Sequence, residues 1–360
     1  MKMEALKKQL RGARTKKAKK LKSKMLSTGS TLLNLACTGT ADGGFSMGDY
    51  IHVVGDSVSG KTFLALTCLA EATLNPKFSG HRLIYDNAER GARMDLQRFF
   101  GQKLADQLEP PALDGGGVSV FSETVEDFYF HVDDALEQGK PFIYILDSMD
   151  SVASVADLGK FEELKCAHRK GKETTGSYGD GKAKKNSEGL RRVIPKLAQT
   201  ESILIIISQT RANLKSQFED KTFSGGYALK FYATLQLWSS TKSKITRTVR
   251  GKARQLGIQS KVRIKKNRTT GAERTVLMPV YHSHGIDDIG SCVAYLLEEK
   301  HWTKRGQKIE AKEFDLQMTE SVLIKTIEQN EWEDRLRDIV GEVWSEIETA
   351  CTLDRKKRYV

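Results

Sequence analysis

Short, mostly apolar runs recur through the first two thirds of the chain. They fall at residues 51–54, 81–85, 118–121, 141–146 and 203–207. Each is too short for a helix and rich in Ile, Leu, Val and Tyr, the pattern of strands buried on both faces of a parallel sheet. Helical periodicity separates them at 63–70, within 103–138 and at 189–199. Strand alternating with helix predicts an α/β architecture. Residues 234–238 and 261–268 alternate apolar with polar side chains, and a polar, basic hairpin spanning 239–259 joins them. From 284 onward the pattern turns helical, with a helix at 291–300, a small hairpin near 301–309, and helices at 319–330 and 331–350. Their apolar face comprises Leu323, Ile327, Leu336, Ile339, Val340, Val343, Trp344 and Ile347, a core stripe rather than a cofactor pocket. Residues 151–187 hold too little apolar content for a core and read as a long mobile loop with some helix at its start.

Composition narrows the function class. No run approaches the ~18 apolar residues of a membrane span, and the N-terminus lacks an apolar signal region. Cys37, Cys68, Cys166, Cys292 and Cys351 are odd in number and scattered, against a disulfide framework or structural zinc and in favour of a reducing cytoplasm. The 58 basic residues outnumber the 46 acidic ones, giving a net charge of +12 and pointing to a polyanionic partner, nucleic acid before membrane. Part of this excess sits in residues 1–25, a basic arm that cannot bury a core alone; it reads as a weakly helical arm or as a segment docked on a neighbouring subunit or on DNA.

The candidate chemistry starts at Gly55-Asp56-Ser57-Val58-Ser59-Gly60-Lys61-Thr62, which follows the first apolar strand and opens a helix. That is the context of a phosphate-binding P-loop. Its glycines turn backbone N–H groups toward an anion, Lys61 reaches the β- and γ-phosphates of ATP, and the Thr62 hydroxyl ligates Mg²⁺. The run 141–146 ends in Asp147, the form of a Walker B strand whose carboxylate supports the metal. Glu89, just past the second strand, is a candidate general base for attack of water on the γ-phosphate, the alternative being an ordinary loop acid.

These motifs lie in the order found in RecA-type recombinases, and the resemblance extends further. An "STGS" element at 27–30, glycines 43, 44 and 48, the P-loop and "DNAE" at 86–89 resemble the opening of the RecA core. Gly101 stands twelve residues after Glu89, as in that family, although Leu96 occupies the place of an adenine-stacking tyrosine. Most specific is Ser224-Gly225-Gly226-Tyr227-Ala228-Leu229-Lys230-Phe231-Tyr232-Ala233, similar to the family's "GG-x-ALKFYA". "VRIKKNR" at 262–268 resembles "VKVVKNK".

The resemblance implies a RecA-like P-loop ATPase core with a mainly parallel twisted sheet and a small α+β C-terminal domain. The expected divisions are a basic arm at 1–30, the core at 31–283 and the small domain at 284–360. DNA-binding loops are expected near 157–188 and 210–224. For the first loop the candidates are Arg169, Lys170, Lys172, Lys182, Lys184 and Lys185; for the second, Arg211, Lys215, Phe218, Lys221, Phe223, Gly225 and Gly226. Gln209 would sense the γ-phosphate, while Lys266 and Arg268 would reach the nucleotide of a neighbouring subunit. Implied partners are single-stranded DNA, homologous duplex DNA, further copies of the chain in a helical filament, and single-strand-binding and loader proteins. ATP and Mg²⁺ would be the cofactors. A RecA-fold helicase and a DNA-coating protein without significant turnover are the competing readings.

Overall fold

The computed structural model describes residues 24–91, 93–170, 181–212 and 221–355, so most of the basic arm and the last five residues lie outside it. Its helices are α1 (Thr31–Thr38), α2 (Lys61–Leu74), α3 (Val125–Glu137), α4 (Val155–Arg169), α5 (Gly181–Gln199), α6 (Tyr227–Tyr232), α7 (Asp288–Glu298), α8 (Glu320–Gln329) and α9 (Glu333–Ala350). Two shorter ones span Leu96–Phe100 and Gln102–Gln107. The large sheet is built from β1 (Tyr50–Gly55), β2 (Arg82–Asp86), β3 (Leu108–Glu109), β4 (Phe142–Leu146), β5 (Ile203–Ala212), β6 (Lys221–Phe223), β7 (Leu235–Val249), β8 (Lys252–Asn267), β9 (Thr275–Tyr281) and β10 (Gly285–Ile286).

Strand order is β10-β9-β8-β7-β1-β5-β4-β2-β3, with β6 off the path on β5. The run β7, β1, β5, β4, β2, β3 is parallel throughout, and the flank from β7 to β10 is antiparallel. Successive strand residues face opposite sides of a sheet. Ile143, Ile145, Ile203, Ile205 and Ile207 therefore join one apolar layer, while Phe142, Tyr144, Leu146, Leu204 and Ile206 join the other. Both faces are covered, by α2 with α1 on one side and by α3, α5 and α6 on the other. Double coverage is why these strands read as continuous apolar runs. Each such side chain stabilises the fold by roughly 1.5–3 kcal/mol relative to exposure.

Helix starts follow local side-chain chemistry. Ser30 caps α1, and Thr124 with Asp127 forms a capping box on α3. Ser154 with Asp157 does the same for α4, the helix expected at the start of 151–187, but helix takes up more of that segment than expected, since α4 runs to Arg169 and α5 begins at Gly181. Along α4, Val155, Leu158, Phe161 and Leu164 recur at three-residue spacing. These side chains are exposed and α4 buries none of its residues, in keeping with a segment too poor in apolar residues to form a core. The expected strand at 118–121 is also reduced. Only Ser119–Val120 is extended, pairing with Ala112–Leu113 across a glycine turn and away from the large sheet.

Beyond 283, α7, α8, α9 and a three-stranded sheet (Thr303–Arg305, Lys308–Ala311, Leu316–Thr319) follow the predicted pattern. Val293, Leu296, Leu323, Leu336, Val340 and Val343 belong to the same apolar cluster as Leu32 and Leu33 of α1. Asp288, the first residue of α7, accepts hydrogen bonds from the Thr31 backbone N–H (2.6 Å) and hydroxyl (2.7 Å) at the start of α1.

Candidate functional site

The carboxyl ends of β1, β2, β4 and β5, adjacent parallel strands, bring the P-loop, Glu89, Asp147 and Gln209 to one edge of the sheet. That edge is where α/β sheets place their ligands. β1 runs directly into the loop, and α2 begins at Lys61. Its N-cap, Gly60, holds a left-handed φ of 89° and supplies no side-chain cap, which leaves the first-turn amides for an anion. Gly55 serves a different need, since a Cβ there would stand 2.3 Å from the carbonyl oxygen of Ser239 on β7. The loop is braced from the same side, as the Ser59 carbonyl accepts from the hydroxyls of Ser239 (2.8 Å) and Ser260 (2.9 Å). Ser57 and Val58 form its exposed tip.

Lys61 is buried, and its ammonium donates to the carbonyls of Gly55 (2.8 Å) and Asp56 (2.6 Å). Burial lowers its pKa, opposed by Asp147, Asp56, Glu89 and Asp150. The Thr62 hydroxyl donates to Asp147 Oδ2 at 2.7 Å. Tyr85, buried at the end of β2, donates its phenol to the same oxygen at 2.9 Å. Burial raises the Asp147 pKa while these two donors favour the carboxylate. A hydroxyl and a carboxylate beside a lysine, at a helix N-terminus, form an oxygen-rich donor set that suits a hard cation carried with phosphate.

Glu89 is exposed, its carboxylate 3.3 and 3.4 Å from the Gln209 side-chain amide and 3.5 Å from the Ser148 hydroxyl. The candidate base and the candidate γ-phosphate sensor therefore touch. Two further groups were not anticipated. Asp150 accepts from the Gln209 backbone N–H (2.6 Å), the Ser224 hydroxyl (2.5 Å) and Arg211 (3.3 Å), tying β4 to both ends of the second expected DNA loop. Asn186 on α5 donates to the Gly225 carbonyl (2.8 Å) and accepts from the Tyr129 hydroxyl (3.0 Å). Their only sequence signal was position, a polar residue just past a Walker B aspartate and one lone asparagine in an apolar helix face.

The other predicted residues separate into groups. Gly225 and Gly226 adopt positive φ (96° and 88°), and a Cβ on Gly226 would lie 2.6 Å from that of Ala183. They let α6 approach α5 closely. Arg169, Lys170 and Lys184 are exposed. Lys182 donates to the Met149 carbonyl (3.0 Å), Lys185 lies 3.7 Å from Glu126, and Lys221 is paired with Asp56 of the P-loop. The Phe223 ring packs edge-on against His52, with centroids 4.7 Å apart, and near Trp238. Lys172, Lys215 and Phe218 lie outside the described residues. Leu96 packs on the core, and near it Phe63 meets Phe99 and Phe100.

Lys266 and Arg268 do not join the P-loop. Lys266 pairs with Gln236, which pairs in turn with His52 of β1, while the Arg268 backbone N–H bonds Thr234 next to Tyr50. They therefore sit three to five strand residues short of Gly55, on the order of 10–17 Å along the sheet. Lys266 donates to the carbonyls of Lys230 and Phe231 (2.7 and 2.6 Å), and Arg268 to that of Phe231 (2.7 Å), at the C-terminus of α6. Burial, with repulsion from Arg268 and Lys230, pushes Lys266 down to about 8. Tyr227 and Phe231 are exposed beside them.

The family model of the RecA N-terminal domain matches residues 146–287. Among curated proteins, the chain is 26% identical over 273 residues to Protein RecA of Parvibaculum lavamentivorans, an alignment covering 74% of this chain and 65% of that relative. It is 25% identical over 293 residues to Protein RecA of Trichodesmium erythraeum, covering 80% and 71%. It is 27% identical over 217 residues to a plasmid Protein RecA of Lactococcus lactis subsp. lactis, covering 60% and 55%. The chain thus spans less than two thirds of the first and third of these relatives. The matched half-sheet, the preceding P-loop strand and these relatives agree in what the chain is similar to, the RecA proteins.

Proposed function

We propose that this chain is an ATP-dependent DNA recombinase that assembles as a helical filament on single-stranded DNA and pairs it with homologous duplex. The observation that carries the reading is the convergence of Lys61, Thr62, Asp147, Glu89 and Gln209 at one sheet edge while Lys266 and Arg268 stand on another. Lys61 exchanges its two loop carbonyls for the phosphates of ATP, and the first-turn amides of α2 complete the cradle. Thr62 and Asp147 hold Mg²⁺, which neutralises phosphate charge when bound. Glu89 orients water and takes its proton, and the Gln209 amide leaves Glu89 when a γ-phosphate is present. Gln209 and Asp150 then pass nucleotide occupancy to β5 and β6, which flank the second DNA loop. Lys266 and Arg268 serve the nucleotide of the adjoining copy.

The exposed cations Arg169, Lys170 and Lys184, together with Lys172 and Lys215, contact DNA phosphates without regard to sequence. Among the described residues no helix is long and apolar enough to cross a membrane, and the proposed place of action is the cytoplasm. The test is electron microscopy with single-stranded DNA, with and without a non-hydrolysable ATP analogue. Nucleotide-dependent helical filaments that vanish with Lys61→Ala are expected; closed rings, or particles indifferent to nucleotide, overturn the filament reading and favour a RecA-fold helicase.

A further inference from the structure

The second residue of the phosphate loop is an acid. Asp56 sits at the mouth of a loop built to receive a highly charged anion, where an uncompensated carboxylate repels the ligand. It is not uncompensated. The Lys221 ammonium lies 2.7 Å from both of its oxygens, and the Thr210 hydroxyl donates to it at 2.5 Å. Burial would raise the Asp56 pKa, but the hydrogen bonds from Lys221 and Thr210 outweigh it and the net shift is downward. Thr210 belongs to β5 and Lys221 to β6. The two strands pair through Ala212 with Lys221, Arg211 with Thr222 and Thr210 with Phe223. Both sides of this hairpin therefore grip the phosphate loop, across 154 and 165 residues of sequence.

We propose that Lys221 is a nucleotide-site residue, cancelling the charge of Asp56 so that the loop accepts the polyphosphate of a nucleoside triphosphate. The inference rests on the reading of this loop as a nucleotide site, and it replaces the expectation that Lys221 is solely a DNA-phosphate contact. The arrangement has a signature that a DNA contact lacks. With Lys221 removed, Asp56 faces the polyphosphate alone; with Asp56 also neutralised, nothing remains to cancel. Loss and recovery must therefore appear in nucleotide binding, in the absence of DNA.

The experiment is a titration of the full chain with a fluorescent ATP analogue and Mg²⁺ at low salt and without DNA. It compares wild type, Lys221→Ala, Lys221→Arg, Asp56→Asn, Lys221→Ala with Asp56→Asn, and Lys61→Ala. Lys221→Ala should weaken binding about three- to tenfold, the effect of a partly exposed charge-assisted pair. Lys221→Arg should stay near wild type, and the double variant should recover to within about twofold of Asp56→Asn. The deficit of Lys221→Ala should shrink as ionic strength rises. Lys221→Gln, read in the same way, covers the case of a poorly folded alanine variant. Wild-type affinity in Lys221→Ala and Lys221→Gln, or a double variant no better than the single, overturns the pairing while a binding-dead Lys61→Ala leaves the nucleotide site standing. A wild type that fails to bind, or a Lys61→Ala that binds normally, overturns the nucleotide site and this inference together.

Discussion

Lys61 and the pair Lys266 and Arg268 are each held by backbone carbonyls, and their surroundings differ. Lys61 lies among Asp147, Asp56, Glu89 and Asp150, with Thr62, Tyr85 and Gln209 adding hydrogen bonds to the same carboxylates. Lys266 and Arg268 lie beside another cation, Lys230, and the exposed rings of Tyr227 and Phe231, and among the described residues no carboxylate is bonded to either. The first set is a finished half-site within one chain. The second is a pair of like charges at a helix C-terminus, where the helix dipole favours them, paired with backbone carbonyls rather than with a carboxylate among the described residues. On the function proposed above, one chain builds the phosphate-holding half and presents the complementary half to a second copy.

The largest expected effect falls on the finished half. Glu89→Gln should retain nucleotide binding and lower turnover by about 10²-fold or more, the usual contribution of a general base. Steady-state hydrolysis with single-stranded DNA measures it, and near-normal turnover would remove Glu89 from that role. Next, Lys266→Ala should lower turnover about tenfold or more, as expected for a cation that meets developing phosphate charge, with unchanged thermal unfolding. Mixing separates the halves. Lys266→Ala with Lys61→Ala should regain activity, because some sites then combine two intact halves. Glu89→Gln with Lys61→Ala should not, because every site carries a defect in the same half; recovery there would erase the distinction between the two regions.

The smallest effect sharpens the first half alone. Tyr85→Phe keeps the ring and removes one of two donors to Asp147 Oδ2, so the half-saturating Mg²⁺ concentration for nucleotide binding should rise about threefold. Nucleotide binding without Mg²⁺ and the unfolding temperature should hold steady. Equal titrations for wild type and variant would reduce Tyr85 to a packing residue.

What could be read without coordinates follows from this contrast. The P-loop, Asp147 and Glu89 each carry a local signature, an apolar run with a polar residue at its end, because backbone direction alone delivers them to the sheet edge. Their supports carry none. Tyr85 reaches Asp147 because β2 neighbours β4, and Ser239 and Ser260 reach Ser59 because β7 lies on β1. Such pairings are set by strand order, which no short window contains. Lys221 reads as a DNA contact because a cation in a polar segment resembles any other, and its pairing with Asp56 is set by the fold. The extent of α4 is hard to read for a further reason: the helix buries nothing, so the apolar periodicity that normally marks a helix by its packing has no core to serve.

The junction between Asp288 and Thr31 bears on how such a chain can be shortened. The amide at the start of α1 is satisfied by a carboxylate from α7, and Leu32, Leu33, Val293, Leu296 and Val343 close one apolar cluster. Trimming after residue 283 would leave Ser30 as the cap of α1 but remove the acceptor of the Thr31 amide, and would wet the apolar cluster that α1 shares with α7. Residues beyond the sheet are accordingly part of what keeps the first helix in place, and selection for a smaller gene would meet that dependence before it met the chemistry.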